Sequence, residues 1–95
     1  MKITVAELQE ITDRLFAHLR DTEREEVEIP EDYYWMIPQG DVYDPTRDPT
    51  DLTIGQLSDD WTELIAILRE DRPAIGYGFV WLSAILRIVG EKTVY

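Results

Sequence analysis

Asp32-Tyr33-Tyr34-Trp35-Met36-Ile37-Pro38-Gln39-Gly40-Asp41-Val42-Tyr43, with Leu52-Thr53-Ile54-Gly55-Gln56-Leu57-Ser58-Asp59-Asp60-Trp61 further on, is the part of the chain that decides the fold. Tyr33 to Ile37 is a β-prone aromatic run. Pro38-Gln39-Gly40 suits a tight connection with glycine in the left-handed position, which makes Asp41-Val42-Tyr43 the return strand of a short ribbon. In such a strand Tyr34 and Met36 share one face, and Tyr33, Trp35 and Ile37 share the other. The set with Trp35 and Ile37 is read as inward, with Trp35 as the anchor. That leaves Tyr34 and Tyr43 outward among the acids. Thr53 and Gln56 have the spacing of a capping box, with Leu52 and Leu57 as its staple, so a helix is expected from about residue 54. Ser58-Asp59-Asp60 offers a second cap at which that region would divide.

Outward from this stretch the pattern is helical. Thr4 and Glu7 form a capping box, and Leu8, Ile11, Leu15, Phe16 and Leu19 follow as one apolar stripe, which predicts a helix over about 5–23. Seven acids and a single base, Arg24, then fill Asp21 to Asp32, and Pro30 closes helix formation. Leu57, Trp61, Leu64, Ile65 and Leu68 repeat the stripe and end before Pro73, giving a helix over about 54–70. Residues 74–89 have almost no polar face, so they are expected to form a helix buried on most sides, with Gly90 as its cap. At 16 residues this run falls short of the roughly 20 that span a bilayer. Glu91 to Tyr95 is read as a short terminal strand. The fold class expected is mainly α, with three principal helices (about 5–23, 54–70 and 74–89) and an irregular or short β-ribbon insert at 27–52. An α+β domain is the alternative.

Ninety-five residues suit one domain, 1–95, and 44% hydrophobic with 31% charged residues is the composition of a folded globular chain. The unusual quantity is charge: 20 acids against 9 bases, net −11. Such a field repels nucleic acid and acidic lipid surfaces and draws in basic proteins. Direct nucleic-acid binding and membrane association are therefore not expected. With no cysteine, disulfides and thiolate chemistry are excluded, and the absence fits a reducing compartment. The first residues lack an uninterrupted apolar run, so no signal peptide is expected and the cytoplasm is the expected location.

No catalytic, cofactor or metal residue stands out. His18, the only histidine, has no nucleophile near it in sequence and reads as structural or exposed. Gly76-Tyr77-Gly78 has neither the lysine nor the spacing of a phosphate loop. Asp59 and Asp60 fit the first turn of a helix, where carboxylates complement the dipole. Asp41, Asp44, Asp48 and Asp51 recur at spacings of three, four and three with prolines between, which matches no calcium loop. Asp44-Pro45 and Asp48-Pro49 open turns.

The Asp32-Tyr33-Tyr34-Trp35-Met36-Ile37-Pro38 run, with Leu52 to Trp61 and Trp81-Leu82-Ser83-Ala84-Ile85-Leu86, resembles a family of small uncharacterised bacterial proteins. The resemblance implies a bacterial origin and no catalytic role. In surface chemistry the chain is loosely similar to the immunity proteins of nuclease colicins, although here the aromatic segment follows one long helix instead of two. The expectation is a non-enzymatic acidic protein, immunity- or antitoxin-like or a regulatory adaptor, that grips a basic protein partner. Asp32, Tyr34, Asp41, Tyr43, Asp44, Asp48 and Asp51 are its candidate partner-binding residues. A DNA-mimic inhibitor and a carboxylate-based metal-binding or enzymatic module are the alternatives. A homodimer through helix 74–89 is a further expectation.

Overall fold

In a computed structural model, which describes residues 1–23 and 25–93, the first helix lies where its pattern places it. Helix α1 runs Val5–Glu23. The Thr4 hydroxyl accepts from the Glu7 backbone N–H at 3.1 Å and donates to the Glu7 carboxylate at 2.6 Å, so the cap is closed by a side chain on each side. Strand β1, Tyr33–Met36, follows, then a single helical turn α2, Gln39–Val42, and strand β2, Thr53–Gln56. Helix α3, Leu57–Leu68, leads through a turn to helix α4, Gly78–Lys92. The architecture is mainly α, with three principal helices and a small two-stranded antiparallel sheet.

The sheet corrects the reading of the middle. β1 pairs with β2, not with 41–43: Tyr33 lies opposite Gln56, Tyr34 opposite Gly55, Trp35 opposite Ile54 and Met36 opposite Thr53. Pro38 accepts from the N–H groups of Asp41 and Val42, and this winds 39–42 into a turn of helix instead of a return strand. Because 53–56 is a strand, the second principal helix starts at Leu57, and the expected Thr53–Gln56 capping box does not form. Its cap comes from a distance. Asp32 accepts the Leu57 N–H on its backbone carbonyl at 2.6 Å and the Ser58 N–H on its carboxylate at 2.8 Å.

α3 ends in a Schellman motif: Glu70 N–H reaches Ile67 C=O and Asp71 N–H reaches Ala66 C=O, with Glu70 in the left-handed region at φ 62°. The last helix starts four residues later than expected and runs three further. Gly90 lies inside it and caps nothing. Nor is it buried on most sides. α4 packs on α3, yet among its residues only Gly78 and Ile85 are buried, and Phe79 and Val80 are exposed. Of the expected terminal strand, Glu91 and Lys92 are helical, and Val94 and Tyr95 lie outside the described residues.

Side chains tie the body together at both ends of α4. Lys92 pairs with Glu31 at 2.8 Å, joining the helix end to the segment before β1. Arg72 pairs with Glu63 and lies 4.7 Å above the Trp81 ring, which meets Tyr77 edge-on. The hydrophobic core is nevertheless small: among the described residues Leu57 and Ile85 are its buried apolar side chains. The chain exposes 8292 Å2, where a folded monomer of 11.1 kDa exposes about 5,700 Å2. Its radius of gyration is 15.2 Å against about 12.4 Å for a packed domain of this length.

Candidate partner-binding surface

The sheet presents a face opposite to the expected one. Gly55 carries no side chain, and the Tyr34 ring lies across it so closely that a Cβ there would sit 2.3 Å from the ring's Cζ. Thus placed, the Tyr34 hydroxyl donates to the Asp60 carboxylate at 2.6 Å, with Asp60 buried in the first turn of α3. Burial pushes the Tyr34 phenol well above its ordinary range, and the Asp60 carboxylate adds to the shift. Tyr34 and Met36 are therefore the half-buried set. Tyr33, Trp35 and Ile37 point outward, reversing the assignment of Trp35 as anchor. The reason is the unpaired space over Gly55, which only the ring of the residue opposite can fill.

Asp32, a candidate partner residue, is committed within the fold. Besides capping α3 it accepts from the Gln56 amide at 2.7 Å and the Ser58 hydroxyl at 3.2 Å. The Gln56 hydrogen bond, followed by that of the Ser58 N–H, holds its carboxyl below the usual carboxylate range. Glu31 is likewise lowered, chiefly by its hydrogen bond from Lys92. Asp41 is buried, paired with Arg47 at 2.8 Å and accepting the Thr50 N–H at 3.2 Å. Asp44 is half-buried and takes up the Thr46 N–H at 3.1 Å and its hydroxyl, which fixes the first Asp-Pro turn. Tyr43, Asp48 and Asp51 are the candidates left exposed, Tyr43 at 89% of its free area. They lie on the loop that closes the Met36–Thr53 end of the sheet.

The residues that the strand reading missed as surface are Tyr33 and Trp35, exposed by 68% and 69%, and Ile54, directly across from Trp35 and 62% exposed. A glycine inside a strand was the available signal, since it marks close approach by its cross-strand neighbour. Between β1 and α4 runs an open groove of about 880 Å3. Tyr33 and Trp35 line it together with Met36, Val80, Ala84 and Ile88, and Glu31, Arg87 and Glu91 bring charge to it. Residues from both faces of β1 line it.

The chain as a whole carries net −11, while the charges at the groove are paired, Glu31 with Lys92 and Glu91 with Arg87. Among the described residues five bases, Arg14, Arg47, Arg72, Arg87 and Lys92, are engaged in ion pairs with acids of the same chain. Among the described residues no three His, Asp or Glu side chains gather into a group able to hold a metal ion. None of the helices described is long and apolar enough to cross a membrane. No protein-family model matches the chain, and neither a curated protein nor a solved structure shows significant similarity to it.

Proposed function

We propose that this chain is a non-enzymatic binding protein, immunity- or antitoxin-like or a regulatory adaptor, that grips a basic protein partner in the cytoplasm. The observation that carries the reading is the outward placement of Tyr33 and Trp35 beside Ile54, on a chain of net −11. Large amphipathic rings give much contact area at little entropic cost, and they dominate the energetics of interfaces. The surrounding field speeds encounter with a positive partner and excludes acidic ones. Of the residues expected to bind, Tyr43, Asp48 and Asp51 are accessible, Asp44 is half-buried and fixes its own turn, and Asp32, Tyr34 and Asp41 serve the fold that carries the proposed surface.

The test is capture of a basic protein from the native cell on the immobilised chain, followed by kinetics with the purified pair. Replacing Trp35 and Tyr33 with alanine is expected to weaken binding at least about thirtyfold while thermal stability stays unchanged. The association rate should also fall steeply with added salt. Undiminished binding by the double variant would move the site elsewhere.

A further inference from the structure

We infer that the free edge of β1 receives an extended segment of the basic partner as a third, antiparallel strand, in which basic and apolar residues alternate. This strand rests on the reading of a basic partner given above and adds the form in which that partner binds. The register fixes where the backbone groups of β1 point. Leu57 N–H donates to Asp32 C=O at 2.6 Å, one step beyond the Tyr33–Gln56 pair. Antiparallel strands exchange hydrogen bonds at every second pair, so Tyr34 with Gly55 and Met36 with Thr53 are the bonded pairs. The N–H and C=O groups of Tyr33 and Trp35 consequently point away from β2. No backbone hydrogen bond from elsewhere among the described residues reaches them. The sheet has two strands, so this edge is open. All of β1 and none of β2 lines the groove toward α4, which puts that space of about 880 Å3 on the open side. The edge is also undefended. Sheets ordinarily blunt such an edge with charge, proline or a bulge. Tyr33-Tyr34-Trp35-Met36-Ile37 carries no charge, its pairs run without a bulge, and Pro38 comes only after them.

Backbone groups, side-chain direction and charge together identify the occupant. Outward N–H and C=O groups at alternate residues are answered by another extended backbone, and antiparallel pairing, as between β1 and β2, is the more stable form. In the added strand, residues opposite Tyr33 and Trp35 stand on the outer face beside those exposed rings. Arginine or lysine suits these positions, since a cation lies favourably on an aromatic face. The residue between them stands on the side of Tyr34 and Met36. An apolar side chain suits it, because Met36, Ala84 and Ile88 line the groove and its charges are already paired, Glu31 with Lys92 and Glu91 with Arg87. Beyond the groove the excess is acidic. The chain is at net −11, and Asp48 and Asp51, exposed on the loop at the Met36–Thr53 end, enter no ion pair among the described residues. That excess draws in a positive segment and opposes pairing of this edge with the same edge of a second copy.

The probe is the acetylated and amidated peptide Arg-Val-Arg-Val-Arg, titrated into the isotope-labelled full chain while amide exchange and chemical shifts are followed. In its absence the Tyr33 and Trp35 amides should exchange at least about tenfold faster than those of Tyr34 and Met36, which β2 protects. In its presence the Tyr33 and Trp35 amides should slow and shift. N-methylation of the central arginine, whose N–H faces β1, should weaken binding at least about tenfold. N-methylation of the two valines, whose N–H groups face away, should leave it unchanged. Equal affinity of the two methylated forms, or a loss confined to the methyl-valine form, overturns the antiparallel strand. So does a Glu-Val-Glu-Val-Glu peptide that binds as well as the arginine peptide. Protection of Tyr33 and Trp35 that rises with protein concentration alone marks a second copy at the edge and also overturns it. If no peptide protects these amides the added strand is rejected, while the reading of a basic partner survives as long as a captured basic protein still needs Tyr33 and Trp35.

Discussion

Helix α1 and the body formed by the sheet, α3 and α4 follow the same local rules, but they are held by different classes of contact. α1 is made of neighbours: a capping box, an apolar stripe and a Glu10–Arg14 pair one turn apart. In the body, residues more than twenty positions apart meet, as Asp32 does with Gln56 and Ser58, Tyr34 with Asp60, and Lys92 with Glu31. The same sequence device had opposite outcomes in the two regions. Thr4 and Glu7 cap a helix. Thr53 and Gln56, at the same spacing, form a strand, because β1 offers them a backbone partner and Asp32 takes over the cap. A local signal of this kind holds where nothing distant competes for the residues.

The largest expected effect breaks the body and spares α1. Gly55→Ala forces a Cβ into the Tyr34 ring, displaces the hydroxyl from Asp60 and leaves a buried carboxylate without its donor. Overpacking together with the lost charge-assisted bond should cost about 3 kcal/mol. Tyr34→Phe, which removes only the hydroxyl, should cost about 2 kcal/mol. Chemical denaturation followed by Trp fluorescence measures both. If Gly55→Ala proves as stable as the parent, the ring does not lie over residue 55 in solution. Amide exchange within α1 should respond little to either variant, since α1 draws almost nothing from that contact.

How much could be read in advance follows the same division. The span of α1 was legible, because its cap and its stripe are local: Thr4 and Glu7 start it and the apolar residues recur three or four positions apart. The existence of α3 and α4 was legible from their stripes, but their starts were not: one is set by Asp32 across the sheet, the other by the turn at Ile75 to Tyr77. The acidic-aromatic surface was legible as a composition and misread as a geometry. Periodicity says that Tyr34 and Trp35 face opposite ways, and only Gly55, twenty-one positions from Tyr34, says which way is in. Nothing in the spacing of Asp41 showed that Arg47 and the Thr50 backbone would enclose it.

Acid sharpens the comparison, because the distant ties of the body run through carboxylates. Asp32 and Glu31 have folded-state pKa values below their unfolded ones. Their stabilising contributions are thus complete above the ordinary carboxylate range, from about 3.8 to 4.5, and are lost as pH falls through it toward the lowered values. Protonation also relieves the repulsion of a chain at net −11, which acts in the opposite direction. The difference between parent and Asp32→Ala isolates the tie. The stability gap between them should be widest near neutrality and close progressively below pH 4, as read from denaturation midpoints. A gap independent of pH would mean that the charge of the Asp32 carboxylate adds nothing to the cap, and no gap at all would mean that Asp32 caps α3 through its backbone carbonyl alone.

The smallest effect is a gain, confined to the body. Glu70 occupies the left-handed position of the Schellman motif, where the Cβ of an L-residue crowds the following carbonyl and glycine is the usual occupant. Glu70→Gly relieves that crowding and also removes one acid from a chain with an excess of them. Against this stands the greater freedom of glycine in the unfolded chain. The balance should be a stabilisation of about 0.5–1 kcal/mol. It should appear as slower amide exchange at the end of α3 with no change in α1, because the α3 terminus and α1 share no bond through which the gain could pass. Equal slowing in both would show that α1 is packed against the body after all, and that its stripe is covered from within the chain.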